Sequence, residues 1–238
     1  MTEPTDTVSK VEKVKDASGR STNVETFRPA PDQIVLHPLT IAQQDSVWRT
    51  FDELPATPIE VTMDCPISEA GKVGPFCKAQ GWPWKSPWYK AALKFVNYAN
   101  PSFSFSDELA EPAEAGIKRR VIYPILLDPA ARPDPDFAAG PLVEMSQLQF
   151  AKRQRSLGFP SRALRQEKGG VLTTECQVQS DYSVICRGLE FEPKENFHLF
   201  REWAASQGLR FQVAPKLKDG REASGVRFRT VMRFKIPR

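Results

Sequence analysis

The sequence predicts an α+β protein dominated by antiparallel sheet, arranged as an OB-like Greek-key barrel with added helices. Two observations support this fold class. Short runs in which apolar and polar residues alternate, the pattern of a half-buried strand, recur between turn residues. The 21 prolines among 238 residues favour long loops and short elements. The strand–helix–strand–strand order near the C-terminus also fits an alternative, a ferredoxin-like or RRM-like sheet.

Composition is that of an ordinary globular protein, with 40% apolar and 26% charged residues. The sequence has no run of 18 apolar residues and no apolar stretch resembling a signal peptide at its start. We therefore expect a cytoplasmic protein that does not associate with membranes.

The chain has four cysteines, and none of them forms a CxxC pair. Their spacing fits no zinc pattern, and the two histidines lie far apart, so we expect no metal or other cofactor. Cys176 and Cys186 could face each other across a hairpin, but in a reducing compartment we expect thiols packed in the sheet. P-loop, GxGxxG, HExxH and nucleophile-elbow motifs are missing, which predicts that the protein is not an enzyme.

Residues 1–30 are predicted to form a flexible N-terminal arm, and residues 31–238 a single α+β domain. The arm is rich in Thr, Lys, Glu and Ser and has no hydrophobic period. A helix is expected from Thr40 to about Leu54, followed by a strand over residues 59–63.

An aromatic and lysine-rich segment occupies residues 74–98. Ser86 followed by proline predicts a helix start, and the helix should run to Asn100. Trp82 and Trp84 belong to the preceding loop, because the intervening proline disfavours helical geometry. Proteins that bind single strands stack bases on aromatic rings and neutralise phosphates with cations, so Trp82, Trp84 and Lys85 are candidate contacts. Packing of these rings in the core is the alternative.

The middle of the chain contains the clearest internal strand, over residues 117–127. A proline-rich loop follows, and a second strand is expected over residues 142–145. Ser146 should then cap a helix that ends near Leu157. The polar side of that helix would carry a second basic patch, formed by Lys152, Arg153 and Arg155.

This order of elements, over residues 120–157, resembles the middle of the phage helix-destabilising single-stranded DNA-binding proteins. Its most recognisable part is the segment YPILLDP at residues 123–129. The resemblance implies a role in phage or plasmid DNA replication, and the host cytoplasm as location if the chain is phage-encoded. Two features depart from that family: this chain ends in KIPR rather than an acidic tail, and it lacks the zinc motif that some members carry. The resemblance assigns no binding residue.

The C-terminal third predicts strands over residues 171–178 and 182–191, a helix over 195–207, a strand over 209–213 and a final strand over 226–236. In the final strand apolar residues alternate with the cations Arg227, Arg229, Arg233 and Lys235. Successive strand side chains point to opposite faces, so one face should enter the core. The other should present four positive charges at roughly 7 Å intervals, which suits a phosphate backbone.

Charge is polarised along the chain. Residues 209–238 contain nine Lys or Arg and two acids, a balance of +7 in a chain whose net charge is +4. Such asymmetry favours a polyanionic partner. We therefore predict sequence-tolerant binding of single-stranded nucleic acid, with DNA as the expected ligand. The alternative is a structural or assembly protein of a virion or ribonucleoprotein, and we also expect a homo-oligomer or a replication or assembly partner.

Overall fold

The computed structural model describes residues 8–15, 19–68, 73–74, 76–103, 117–134, 137, 139–153 and 158–236. Contacts divide the chain into two compact units. Unit 1 comprises residues 1–39 and 47–132, and unit 2 comprises residues 40–46 and 133–238. The sequence predicted one domain over residues 31–238, whereas the contacts separate two units, each with its own sheet and buried core.

Unit 1 is built on a five-stranded sheet in the order β1-β2-β7-β4-β5. All neighbours in this sheet are antiparallel except β2 and β7, which are parallel, and β3 pairs with β6 separately. The strands are β1 (Val8–Lys15), β2 (Ser21–Arg28), β3 (Ile34–Val35), β4 (Ile59–Ile67), β5 (Lys78–Ala79), β6 (Ser102–Phe103) and β7 (Ile117–Leu127). Short 3-10 turns span Pro31–Gln33 and Pro129–Ala131.

Helix α1 (Ile41–Trp48) spans the division between the units, and α2 (Pro87–Ala99) belongs to unit 1. Ser86 caps α2 as predicted, because its side-chain oxygen accepts a hydrogen bond from the Tyr89 backbone N–H at 3.1 Å. The alanine-rich face of α2 shares a buried core with β4 and β7, in which Met63 and Tyr123 are among the largest side chains.

The N-terminal segment differs from the predicted flexible arm, since residues 8–15 and 21–28 form β1 and β2. Phe27 provides the reason: its ring is buried in the core of unit 1. Glu25 also forms an ion pair with Arg119 of β7, with an N–O distance of 2.8 Å. Backbone pairing to β7 thus orders a segment whose own side chains are mostly polar.

Unit 2 contains a four-stranded sheet in the order β11-β10-β13-β8, in which only β13 and β8 are parallel. A two-stranded sheet joins β9 and β12. The strands are β8 (Leu142–Val143), β9 (Phe150–Arg153), β10 (Gly170–Val178), β11 (Val184–Glu192), β12 (Phe211–Val213) and β13 (Arg227–Phe234). The helices are α3 (Ser161–Arg165) and α4 (Phe197–Ser206), with 3-10 turns at Met145–Gln147, Lys194–Asn196 and Gly208–Arg210.

The α+β class with mostly antiparallel strands is therefore confirmed. Neither larger sheet closes on itself among the described strands, so the OB-like barrel and the ferredoxin-like alternative stay predictions. The helix predicted over residues 146–157 is wrong where the structure describes it, because residues 150–153 form β9. Pairing with β12 satisfies the backbone there, and the Phe150 ring packs 5.3 Å from that of Phe211.

All four cysteines form disulfides, Cys65–Cys77 and Cys176–Cys186, so the prediction of free thiols is wrong. Cys176 of β10 lies directly opposite Cys186 of β11 in the sheet register, as the hairpin argument allowed. In the part of the chain that the structure describes, none of the helices is long and apolar enough to cross a bilayer.

Candidate nucleic-acid interface

Strand β13 divides its side chains between two faces of the unit 2 sheet, as the alternation predicts. Phe228 is fully buried, and Phe234 packs against Phe200 and Trp203 of α4, with ring centroids 4.6 and 4.8 Å apart. We call this the inner face and the opposite one the outer face. The residues of β13 on the outer face are Arg227, Arg229, Val231 and Arg233.

The register places acidic residues on the same outer face, on β10 and β11. Arg229 lies opposite Glu175 of β10, which lies opposite Arg187 of β11. One end of β11 contributes Glu190 and Glu192 at outer positions. Two strand spacings separate these acids from β13, about 10 Å, which is close to one Debye length at physiological salt. The outer face therefore has a cationic edge along β13 and an acidic side along β11.

Glu175 is the centre of a charge cluster on this face. Its side chain is only 3% exposed, and its Oε2 accepts a hydrogen bond from Arg187 Nη2 at 2.8 Å. Its Oε1 lies 3.5 Å from Arg227 Nη1 and 3.6 Å from Arg229 Nε. Burial opposes ionisation of Glu175, but the hydrogen bond from Arg187 and the three arginine charges outweigh it and lower its pKa. The carboxylate thus neutralises part of the cationic edge.

Arg227 has an internal role that the sequence pattern did not indicate. Its Nε donates to the carbonyl oxygen of Gly140 at 3.0 Å, and its Nη1 donates to that of Phe137 at 2.8 Å. Arg187 lies over the Phe137 ring, 4.4 Å from the centroid. The end of the outer face near Arg227 is thereby covered. The Arg227 guanidinium holds the loop that contains Phe137 and Gly140.

Exposed cations continue along the rest of β13 and at the residue that follows it. Arg229, Arg233 and Lys235 are all exposed, and Val231 between them is 62% exposed. Among the residues that the structure describes, Arg233 and Lys235 take part in no ion pair. The backbone at Gly169 approaches the Phe234 carbonyl so closely that a Cβ would lie 2.5 Å from its oxygen. This packing brings a segment with further exposed cations, Arg162, Arg165 and Lys168, to the end of β13.

The aromatic candidates belong to unit 1 and differ from each other in exposure. Trp82 is partly buried against the core, with its ring 5.9 Å from that of Trp88. Trp84 is 69% exposed, and Lys85 Nζ lies 4.9 Å from the centroid of its ring. The exposed ring and its neighbouring cation match the pairing used for single strands.

The second basic patch is described only in part. Lys152 and Arg153 belong to β9 and pair with Gln212 and Phe211 of β12. Their side chains, and the whole of Arg155, lie outside the part of the chain that the structure describes.

Comparisons with protein-family models, curated proteins and solved structures gave no significant match to this chain.

A cleft of about 170 Å³ opens beside the start of α1 in unit 2. The backbone N–H of Ile41 already donates to Asp181 at 2.8 Å, and that of Ala42 to Ser183 at 3.1 Å. These side chains satisfy the backbone N–H groups at the start of α1, so we assign no ligand to the cleft.

The two tryptophans should respond differently to substitution. Trp84→Ala should leave the melting temperature unchanged, because its ring is exposed. If the Trp84 ring of unit 1 also stacks bases, the same variant should weaken single-strand binding by about 1–3 kcal/mol. Trp82→Ala should lower the melting temperature, because its ring packs against the core. Fluorescence titration with an oligonucleotide, paired with thermal melts, checks both. Equal stability losses would place both rings in structural roles.

Replacing Glu175 with glutamine should lower the free energy of unfolding by about 1–3 kcal/mol at pH 7, because three arginines lose their shared counter-charge. The folded-state pKa of Glu175 is lowered, so its contribution is complete above the ordinary value of about 4.5 and is lost as pH falls through the folded value. Denaturant titrations at pH 7 and pH 3 measure this. A stability difference between wild type and variant that fails to shrink at pH 3 would contradict the cluster.

Proposed function

We propose that unit 2 binds single-stranded nucleic acid, tolerantly of sequence, along the exposed part of β13. The observation that carries the proposal is the row of exposed side chains Arg229, Val231 and Arg233 on one edge of the outer face, which exposed Lys235 continues just past the end of the strand. Arg227 belongs to the structural support of this row, since its guanidinium is occupied by carbonyl groups and Glu175.

The chemistry of the row suits a flexible polyanion. Arginine and lysine neutralise phosphates and release condensed counterions, while contacts to phosphate carry no base information. Val231 offers an apolar surface between the cations, and arginine planes can stack on bases. Three neutralised phosphates would give a log–log salt slope of about −2 for a single strand.

The acidic residues of β11 restrict the proposed interface to a narrow strip along β13. Glu190 and Glu192 repel phosphate from the far side of the outer face, so a strand should follow β13 along its length. An open sheet can provide such a track, and the proposal does not depend on a closed OB-like barrel. DNA, and a setting in phage or plasmid replication, form part of the proposal through the resemblance in residues 120–157.

Binding assays with three probes test the function: a single-stranded DNA, the matching duplex and a structured RNA, each at two salt concentrations. We expect the tightest binding for the single strand and weaker binding at the higher salt. Equal affinity for all three probes, or affinity that does not depend on salt, would contradict the proposal.

The assembly-protein alternative is favoured by a different observation in unit 1. Phe76 is 79% exposed and Trp84 is 69% exposed, and large exposed aromatic side chains are typical of protein contacts. If the salt-dependent binding of unit 2 fails, these rings make a protein partner the better proposal.

The disulfides bear on where the protein acts. Disulfide bonds persist in oxidising compartments and are rare in the cytosol, so Cys65–Cys77 and Cys176–Cys186 favour an oxidising location. They therefore count against the replication setting, which rests on the resemblance in residues 120–157. Cytoplasmic location stays a prediction from the sequence alone.

A further inference from the structure

Strand β1 lies at one edge of the unit 1 sheet. All eight of its residues pair with β2, and its outer edge pairs with no strand that the structure describes. An unpaired edge presents a row of backbone N–H and C=O groups that another strand can hydrogen-bond. The side chains of β1 then decide which strand fits.

The two faces of β1 have different chemistry. Val11 is 54% exposed and lies opposite Glu25 of β2, on the sheet face that also carries Phe27. Lys10 and Glu12 lie on the other face, with Lys10 Nζ 2.7 Å from Glu12 Oε1. Both charged side chains are solvent-exposed and stand next to the open edge.

We propose that β1 pairs with β1 of a second copy of this chain, antiparallel, with Val11 opposite Val11. In this register Lys10 of each copy lies opposite Glu12 of the other, so two ion pairs form across the edge. On the face that carries Val11, Ser9 of each copy lies opposite Lys13 of the other. Opposite charges and β-branched pairs directly across two strands stabilise an antiparallel ladder.

The sequence of β1 selects this register over its neighbours. A two-fold axis perpendicular to the sheet relates the two copies, so each residue must lie opposite a residue whose side chain points to the same face of the sheet. The register can therefore shift only by steps that keep this match. The next register in one direction places Lys10 opposite Lys10, and the next in the other places Glu12 opposite Glu12. Like charges directly opposite destabilise a pair, so only the Val11-centred register avoids both clashes and gains the ion pairs.

This arrangement also accounts for the lysines on an exposed edge. Edge lysines usually prevent pairing with other strands, because they would meet apolar or cationic neighbours. Here Lys10 meets Glu12 and Lys13 meets Ser9, so the edge accepts its own copy while it disfavours other registers. The contact is isologous and closes after two copies, which predicts a dimer and no filament.

Two charge reversals on the full-length protein test the dimer. Lys10→Glu places two acidic residues opposite each other, and Glu12→Lys places two lysines opposite each other. Sedimentation equilibrium should show a dimer for wild type and a monomer for each variant. An equimolar mixture of the two variants should regain the dimer mass, because the two carboxylates of the Lys10→Glu copy then face the two ammonium groups of the Glu12→Lys copy.

The mixture separates pairing between copies from the ion pair within β1, which remains broken in both variants. Lys78→Glu, on β5 at the opposite edge of the same sheet, is the matched control and should remain dimeric. Three results would each overturn the proposal: a wild-type monomer at concentrations up to about 100 µM, single reversals that remain dimeric, or a mixture that remains monomeric.

Discussion

Replacing Phe228 with alanine should lower the free energy of unfolding by about 3–5 kcal/mol. The Phe228 side chain is fully buried on the inner face of β13, in a core that also contains Val143 and Val226. Removing its ring loses apolar burial and leaves a cavity that paired strands cannot close. Chemical denaturation monitored by circular dichroism measures the change.

Arg233 of the same strand provides the matched control, since its side chain is exposed on the outer face. Arg233→Gln should change the free energy of unfolding by less than about 1 kcal/mol. Similar losses for Phe228→Ala and Arg233→Gln would contradict the assignment of inner and outer faces.

Removing the disulfide between Cys176 and Cys186 by a double alanine substitution should cost about 2–5 kcal/mol. The bond joins β10 to β11 across the hairpin, and both cysteines are fully buried next to Phe228 in the same core. The cross-link restricts the unfolded chain, and the substitution also removes buried sulfur atoms. Denaturant unfolding of the double variant, compared with wild type without reductant, gives the effect.

Alkylation of denatured, unreduced protein is the accompanying check on both disulfides. With Cys65–Cys77 and Cys176–Cys186 bonded, the protein should take up no thiol reagent. Labelling of all four cysteines would show that the protein carries thiols and would restore the prediction of a reducing compartment.

The sequence predicted correctly those elements whose own residues indicate which side chains are buried or where the element begins. Residues 117–127 form β7 with the predicted bounds, because apolar residues dominate the run from 121 to 127. Helix α2 begins after Ser86 as expected, because serine followed by proline satisfies the first turn. The alternation in β13 also predicted correctly that Phe228 faces the core.

Elements stabilised by distant partners were missed. Phe27 is the one apolar side chain of β2 that is buried, and the order of this strand depends on pairing with β7, far away in sequence. Residues 150–153 were expected to be helical and instead pair with β12. Local periodicity contains no information about such long-range hydrogen bonds.

The candidate site was predictable in its cations but not in their neighbours. Arg229, Arg233 and Lys235 are exposed as the alternation indicated. Strand register decides that Glu175 meets Arg229 and that Glu190 shares the outer face, and register is not encoded in one strand alone. The available signal in the sequence for an acidic neighbour of these cations was Glu175 itself, which lies between two polar residues at outer positions of β10.

The salt dependence of single-strand binding by Arg233→Gln is the sharpest measurement of phosphate contact by β13. Arg233 is exposed on the proposed track, so its loss should flatten the log–log slope by about 0.7 and weaken binding to all sequences alike. Arg201→Gln is the control: it makes the same charge change on an exposed position of α4, the helix that packs against the inner face. We expect a flatter slope for Arg233→Gln and an unchanged slope for Arg201→Gln. Equal slopes for wild type and both variants would show that β13 does not contact the phosphate backbone.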